Sequence, residues 1–432
     1  MKVVVIGGGV IGTATAYWLN RQGAEVTLVE REPDVARQTS AGNAGVIAPG
    51  YVTPWAAPGM PAKILKYLLK PAAPVIFRPQ LSLRQWRWIG RWLGNCELAR
   101  YRVNKLRMQR VAYYSRACLH EFLRDHPLDY GRSQGYLQLF RSRYDEELAR
   151  PALALLAEAG IPHRLLDAAQ CVEIEPALAR APVAPLSGLY LPEDEAGDCA
   201  VFTRELRALC EQGGVRFRFG ARVARLEAAG GRVSAVQLEQ LEPLEAGQQG
   251  GAGAAGPQRL PCDALVMAAG VDSHTLLDPL GIALPLYPVK GYSATLQITD
   301  AEAAPRAAVM DESLKTAITR MGNQVRVAGT AELGDDRLAL REASLKTLRQ
   351  VMADWFPGAG DMAGARYWVG RRPMTPDGPP ILGPTSHANL FLNVGHGSTG
   401  WAMSMGSGRV VADLVLGRKP EIDLDGLTLA RY

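Results

Sequence analysis

The first thirty residues leave this chain little freedom. An apolar run, Val3–Ile6, enters Gly7-Gly8-Gly9-Val10-Ile11-Gly12, and Glu30 closes the pattern eighteen residues later. Strand, glycine turn, helix, second strand and acidic residue, in that order, predict a βαβ unit that holds an adenine dinucleotide. Gly7 permits the tight turn, Gly9 lets the backbone approach a pyrophosphate, and Gly12 lets the helix pack closely on the strand. The helix through Ala14–Leu19 offers its free N–H groups and positive dipole end to the phosphates. Glu30 ends the run Val26–Val29, where a carboxylate can accept hydrogen bonds from ribose hydroxyls. Val5, Ile6, Gly8, Val10, Ile11 and Arg31 complete this candidate set. A purely structural strand–helix turn would use similar glycines, and the fingerprint alone leaves FAD and NAD open.

A chain of 432 residues predicts two domains with ample core. Its six cysteines form no Cys-x-x-Cys pair, which argues against a zinc site or a disulfide framework and suits a reducing compartment. The first residues read as a core strand and not as a cleaved leader. No uninterrupted apolar run is long enough to span a membrane as a helix.

Charge is unevenly placed. From Val35 to Cys96 there are eight lysines and arginines and no acid, within a chain whose net charge is +5. Trp55, Trp86, Trp88 and Trp92, half of the tryptophans, lie in this basic segment, taken as residues 54–94. Between Pro61 and Pro71, Lys63, Lys66 and Lys70 fall on one helical face, away from Leu65, Leu68 and Leu69. In Ser82–Leu93, Arg84, Arg87 and Arg91 form one stripe, and Leu83, Trp86, Ile89 and Leu93 lie opposite. Short basic amphipathic helices with tryptophans suit an in-plane membrane contact. The competing reading is an arginine-rich helix packed on the protein's own second domain. No nucleic-acid reader fold accompanies the patch, so nucleic acid is not expected as a partner.

Farther along, the pattern predicts helices at Arg100–Arg124 and Thr203–Gln212, and strands at Tyr136–Arg141, Gly188–Leu191, Val215–Phe219 and Val223–Leu226. Residues 245–259, rich in Gly, Ala and Gln, read as an extension of a hairpin. Asp263–Gly270 is a buried strand ending in small residues, Ala269 and Gly270, that would let a cofactor approach. Strands at Val289–Ile298, Thr316–Arg320, Gln324–Gly329 and Phe391–Val394, with helices at Leu338–Trp355 and Gly400–Leu416, complete the second half. The turn Gly395-His396-Gly397-Ser398-Thr399-Gly400-Trp401 again presents backbone amides at a helix N-terminus, where negative charge is stabilised.

These motifs, together with Thr39-Ser40-Ala41-Gly42-Asn43-Ala44-Gly45, Pro54-Trp55-Ala56-Ala57-Pro58-Gly59, Tyr287-Pro288-Val289-Lys290-Gly291-Tyr292-Ser293 and Arg372-Pro373-Met374-Thr375-Pro376-Asp377-Gly378, carry a resemblance over essentially the whole chain. The sequence resembles the bacterial FAD-dependent D-amino acid dehydrogenases, within the wider family of D-amino acid, glycine and sarcosine oxidases. It departs from that pattern at Ser398-Thr399, where Thr-Leu is usual, and in the insertion near residue 250. The resemblance implies a Rossmann-type α/β FAD-binding domain interleaved with an α+β substrate domain on an antiparallel or mixed sheet. The expected boundaries are 1–50, 196–285 and 362–432 for the first, and 51–195 and 286–361 for the second.

Implied with it are FAD as cofactor and further cofactor contacts at Ser40, Asn43, Ala44, Gly45 and Val223, and at Gly397, Ser398, Thr399, Gly400 and Trp401. The resemblance places Arg372 at the carboxylate anchor, a task that suits a planar guanidinium. Tyr292 is the expected second carboxylate contact or pocket wall, and Tyr51 the expected lid. Arg320 is a weaker candidate, and His396 is expected to support the flavin instead of taking a proton. The reaction implied is hydride transfer from the α-carbon of a D-amino acid, leaving a 2-oxo acid and ammonium after hydrolysis. Electrons would pass to a membrane quinone or respiratory acceptor from a cytoplasmic, peripherally bound enzyme. A related oxygen-using oxidase of glycine, sarcosine or D-hydroxyproline is the alternative, and substrate handedness rests on the resemblance alone.

Overall fold

Val3, Val4, Val5 and Ile6 are apolar without alternation because both faces of their strand are covered. The structure, a computed structural model, describes residues 1–67, 74–241, 258–334 and 337–432. Lys2–Ile6 lies inside a six-stranded sheet in the order Ile381–Pro384, Leu390–Val394, Ala264–Met267, Lys2–Ile6, Glu25–Val29, Arg216–Arg218. All neighbours are parallel except the edge strand Ile381–Pro384. Val3 and Val5 point into a layer of helices that includes Val10–Arg21, Leu98–Asp125, Cys199–Gln212 and Gly400–Val415. Val4 and Ile6 point the other way, onto an antiparallel three-stranded sheet of Ala221–Ala229, Arg232–Gln240 and Gln258–Pro261. The last two of these strands flank the Gly/Ala-rich insertion, most of which lies outside the described residues.

The second sheet runs Arg366–Met374, Tyr287–Gln297, Gln324–Leu333, Thr316–Met321, Ala308–Asp311, Ser133–Phe140, Ser187–Ala196, Val46–Ile47. It is mostly antiparallel; Ala308–Asp311 runs parallel to Ser133–Phe140, and Val75–Phe77 adds in parallel to Gln324–Leu333. The helix Glu342–Trp355 covers one face, burying Leu348, Val351 and Trp355 against Leu296, Val325 and Val327. The opposite face buries Tyr136, Met310 and Ala317 against Ala48, with Ala44 and Tyr51 alongside.

The mixed α/β class expected from the sequence is the class observed. The helix expected from Leu338 begins at Glu342. Arg366–Met374, assigned by the sequence reading to the dinucleotide-binding part, is instead bonded along its length to Tyr287–Gln297 in the second sheet. Its tie to the first sheet is made at its end, where Gly397 N–H donates to Pro373 O and Met374 bridges His396.

The basic segment also departs from expectation. Lys63 is buried and paired with Asp145 at 3.1 Å, and Lys66 sits over the Tyr144 ring. Lys70, Leu68 and Leu69 lie outside the described residues. In Leu83–Gly94, the positions facing inward are Gln85, Trp88 and Trp92. Arg84 turns back to donate to Leu286 O. The outward face carries Leu83, Trp86 and Leu93 beside Arg87 and Arg91. The tryptophans therefore divide between a packed face and an open one.

Candidate active site

Parallel strands leave a crevice at their C-terminal ends where chain order reverses across the sheet. Here the reversal falls at Lys2–Ile6, flanked by Ala264–Met267 on one side and Glu25–Val29 on the other. A cavity of about 400 Å³ opens there, walled by the ends of four strands: Ile6–Gly7, Val29–Arg31, Ala268–Asp272 and Asn393–Gly397. Such a volume suits a bound small molecule or part of a larger cofactor.

Glycine is required where the sequence placed it. Gly7 has φ +110°, and a Cβ there would come within 2.6 Å of Ala268 O. A Cβ on Gly12 would lie 1.9 Å from Gly7 O, so this position serves helix-to-strand packing and does not touch the cavity. Gly9 caps the helix and lines the cavity, and the Ser40 hydroxyl accepts from Val10 N–H at 3.1 Å. Glu30 accepts from Gly8 N–H and, at 2.9 Å, from Glu32 N–H. Burial raises its carboxyl above the usual carboxylate range, partly opposed by those two N–H groups.

The cavity walls include Ile6, Gly7, Gly9, Val10, Ile11, Glu30, Arg31, Ser40, Asn43, Val223, Ala269, Gly270, Gly397, Gly400 and Trp401. Other expected contacts are absent from those walls. Val5 points into the helical core, and Gly8 turns its N–H toward Glu30. Ala44 and Gly45 lie beyond Asn43, with Gly45 against Met321 and the Gly197 backbone. Ser398 accepts from the Trp55 indole, and Thr399 is likewise set back. Sequence reasoning missed Arg37, Gln38, Asp272, Arg371 and Asn393, all in the wall, where His396 also stands as expected. Asp272 is gripped by Arg31 at 3.0 Å and by Arg371 at 3.3 Å, a contact between strand ends that no local spacing announces.

Two polar atoms in this region mark unmet demand. Asn393 Oδ1, in the cavity wall, and Thr399 Oγ1, in the closing turn, are buried without a hydrogen-bond partner among the described residues. Burial of unpaired polar atoms is costly, so a ligand offering donors and acceptors fits here. His396 is buried, and loss of hydration lowers its pKa to about 3. Its Nε2 lies 3.1 Å from Ser407 Oγ, whose hydroxyl donates to Ser404 O. The ring is therefore neutral, a weak base held in the turn.

Arg372 leaves the face of its strand opposite to that of Arg371. Its Nη1 donates to Lys290 O at 3.1 Å and Thr330 O at 2.9 Å, and its Nη2 to Gly329 O at 3.1 Å. One hydrogen on Nε and one on Nη2 remain, along the edge that grips a carboxylate two-pronged. Among the described residues no carboxylate pairs with it. Loss of hydration lowers its pKa to about 10.

Tyr292 is not brought to this arginine. Tyr292 stands opposite Val369, one step out of phase with the Val289–Arg372 pair, so it leaves the other face of the sheet. It is buried in the core under Glu342–Trp355, and its hydroxyl donates to Glu332 at 2.5 Å. Tyr51 packs on Tyr136 with ring centres 5.0 Å apart, and burial pushes its phenol up to about 12. Arg320 bonds to Gly322 O and Ala301 O at an exposed corner.

Comparison with known proteins agrees with this architecture. Residues 2–414 match the family model described as FAD dependent oxidoreductase. A D-amino acid dehydrogenase of Bradyrhizobium diazoefficiens is 47% identical over 433 residues, covering 100% of this chain and 99% of the relative. One from Methylobacterium radiotolerans is 48% identical and covers 100% of both. Among solved structures, glycine oxidase from Geobacillus kaustophilus superposes with TM-score 0.74 at 20% identity, over 100% of this chain and 98% of that one. L-proline dehydrogenase from P. horikoshii gives 0.73 at 15%, over 99% and 96%. Those two likenesses concern the fold alone. With the glycine cradle, the four strand ends and a family match over nearly its whole length, the chain belongs to the FAD dependent oxidoreductases.

Proposed function

We propose that this oxidoreductase deaminates D-amino acids, with Arg372 holding the substrate carboxylate beside the cofactor cavity. The carrying observation is the guanidinium itself: it is charged, lacks a carboxylate among the described residues, and keeps a donor on Nε and on Nη2. That its chain neighbours Arg371 and Pro373 line the cavity supports an anchor beside the cofactor site. The D configuration rests on the curated relatives, both named D-amino acid dehydrogenase and matching end to end.

When bound, FAD supplies the acceptor for the hydride that leaves the α-carbon. The protein's own share is positional. Arg372 fixes the carboxylate plane, and the helix N-terminus at Gly400 favours negative charge in the adjoining turn. His396, neutral and bonded to Ser407, keeps that turn in shape. Loss of the Cα hydride and one amine proton leaves an imino acid, which water hydrolyses to a 2-oxo acid and ammonium.

The electron acceptor is proposed to be a membrane quinone or respiratory component reached by peripheral contact. What supports this is the open face of Leu83–Gly94, where Leu83 is 74% and Trp86 49% exposed beside Arg87 and Arg91. No helix among the described residues is long and apolar enough to cross a membrane.

Anaerobic mixing with D-alanine, L-alanine and D-proline, following flavin bleaching, tests the reading. D-Alanine is expected to bleach the flavin and L-alanine to leave it oxidised. Arg372→Ala is expected to weaken D-alanine binding roughly ten- to hundredfold while FAD stays bound. Bleaching by L-alanine alone, or unchanged affinity in Arg372→Ala, overturns it. Stoichiometric hydrogen peroxide with no quinone reduction would replace the acceptor by oxygen.

A further inference from the structure

Trp55 stands between the two halves of the site and belongs to neither set of expected contacts. The Arg372 Cζ lies 5.6 Å from the centre of its ring, and its Nε1–H donates to Ser398 Oγ at 3.1 Å. Ser398 lies in the turn that closes the cofactor cavity, between the wall residues Gly397 and Gly400. Trp55 is itself held from behind. It packs on the cluster of Ala56, Trp88, Trp92, Tyr287 and Met374, and Trp88 Nε1–H donates to Met374 O at 3.0 Å. The same packed face of Leu83–Gly94 therefore supports both Trp55 and the strand bearing Arg372.

We propose that Trp55 is a positioning residue that sets the substrate anchor relative to the cofactor turn. Its indole face holds the Arg372 guanidinium, and its N–H tethers that face to Ser398. The physical need is plain. Arg372 is part-buried without a carboxylate partner among the described residues, and carbonyl oxygens alone fix only its Nη edge. An aromatic face attracts the cation without occupying the donors reserved for the substrate. A carboxylate placed there would compete with the substrate, whereas an indole does not. The proposal rests on reading Arg372 as the carboxylate anchor.

The test compares wild type, Trp55→Phe, Trp55→Leu, Ser398→Ala, the Trp55→Phe/Ser398→Ala double variant and Arg372→Ala as holoenzymes. Anaerobic stopped-flow with D-alanine separates substrate Kd from the limiting rate of flavin reduction; FAD content and Tm are read alongside. Trp55→Leu is expected to raise Kd roughly tenfold. Trp55→Phe keeps a ring face, so Kd should stay within about threefold while the limiting reduction rate falls several-fold. Ser398→Ala should reproduce Trp55→Phe, and the double variant should add nothing to either.

Wild-type Kd in Trp55→Leu, with binding lost in Arg372→Ala, overturns the role of Trp55 and leaves the anchor standing. Additive effects in the double variant overturn the tether. Unchanged binding in Arg372→Ala removes the underlying reading, whatever the tryptophan variants do. Should Trp55→Leu lose FAD, the Phe and Ser398 variants still decide, because both preserve the packed ring.

Discussion

Gly291 matters because of the space above it. A Cβ at this position would fall 2.2 Å from the Arg372 Cζ and Nη2, so the guanidinium occupies the volume that any side chain would claim. Gly291 lies beside Val289, which faces Arg372 across the pair of strands. Gly291→Ala must then displace the flexible end of an arginine and leave the backbone as it is. Such a displacement should spare FAD content and Tm but weaken D-alanine binding by roughly ten- to hundredfold, the worth of a charge-assisted contact. Anaerobic titration of the flavin band measures this directly; wild-type affinity in Gly291→Ala would show that the arginine does not act from where it is seen. At this scale the sequence was uneven. The resemblance pointed to Arg372 as an anchor, a role that suits a guanidinium, but its three carbonyl partners come from two other strands and no motif announces them. Tyr292 was misplaced by one step of strand parity, which the motif Lys290-Gly291-Tyr292 does not reveal.

Elements show a second kind of ambiguity. A helical period sorts Leu83–Gly94 into stripes, but it does not say which stripe meets the protein. Tertiary contacts chose Gln85, Trp88 and Trp92, with Gln85 Nε2–H donating to Tyr287 Oη at 3.0 Å. That choice leaves Leu83, Trp86 and Leu93 outward beside Arg87 and Arg91, and so keeps half of the amphipathic reading. For Met60–Tyr67 the outcome was different: Lys63 found Asp145, whose own partners are Ser142 and Ser313, and this partnership is distant in sequence. If the outward stripe docks on lipid, Leu83→Glu/Trp86→Glu should reduce co-sedimentation with anionic vesicles at least tenfold, since each apolar side chain buried is worth about 1.5–3 kcal/mol. Activity with a soluble acceptor should hold, because neither side chain reaches Trp55 or Arg372 in this structure. Equal sedimentation of variant and wild type would assign the stripe to some other contact.

At the scale of the whole molecule, the cofactor cavity is assembled from distant parts of the chain, with one sheet giving most of its wall. Ile6, Gly7 and Gly9–Ile11 with Val29–Arg31 come from the beginning of the chain, Ala268–Asp272 from its middle, and Asn393–Gly397 with Gly400 and Trp401 from its end. The opening fingerprint and the closing glycine turn were legible because each is local: a turn needs its glycines within a few residues. Asp272, Arg371 and Asn393 were not, since only strand order within the first sheet and the contact of the second sheet with it bring them to the same crevice. That assembly has a thermodynamic consequence. A ligand spanning all four strand ends binds the folded chain and finds no comparable site in the unfolded one, so FAD should stabilise the fold as a whole. At a thousandfold excess over Kd the gain is about 4 kcal/mol, rising with the logarithm of free FAD. Thermal unfolding of the FAD-stripped protein across a range of added FAD should show Tm climbing by several degrees, with tryptophan fluorescence and circular dichroism moving together. NAD at the same concentrations should leave Tm where it was. A Tm indifferent to FAD, or separate transitions for the two sheets with only one responding, would mean that the ends of the chain are not joined through the cofactor.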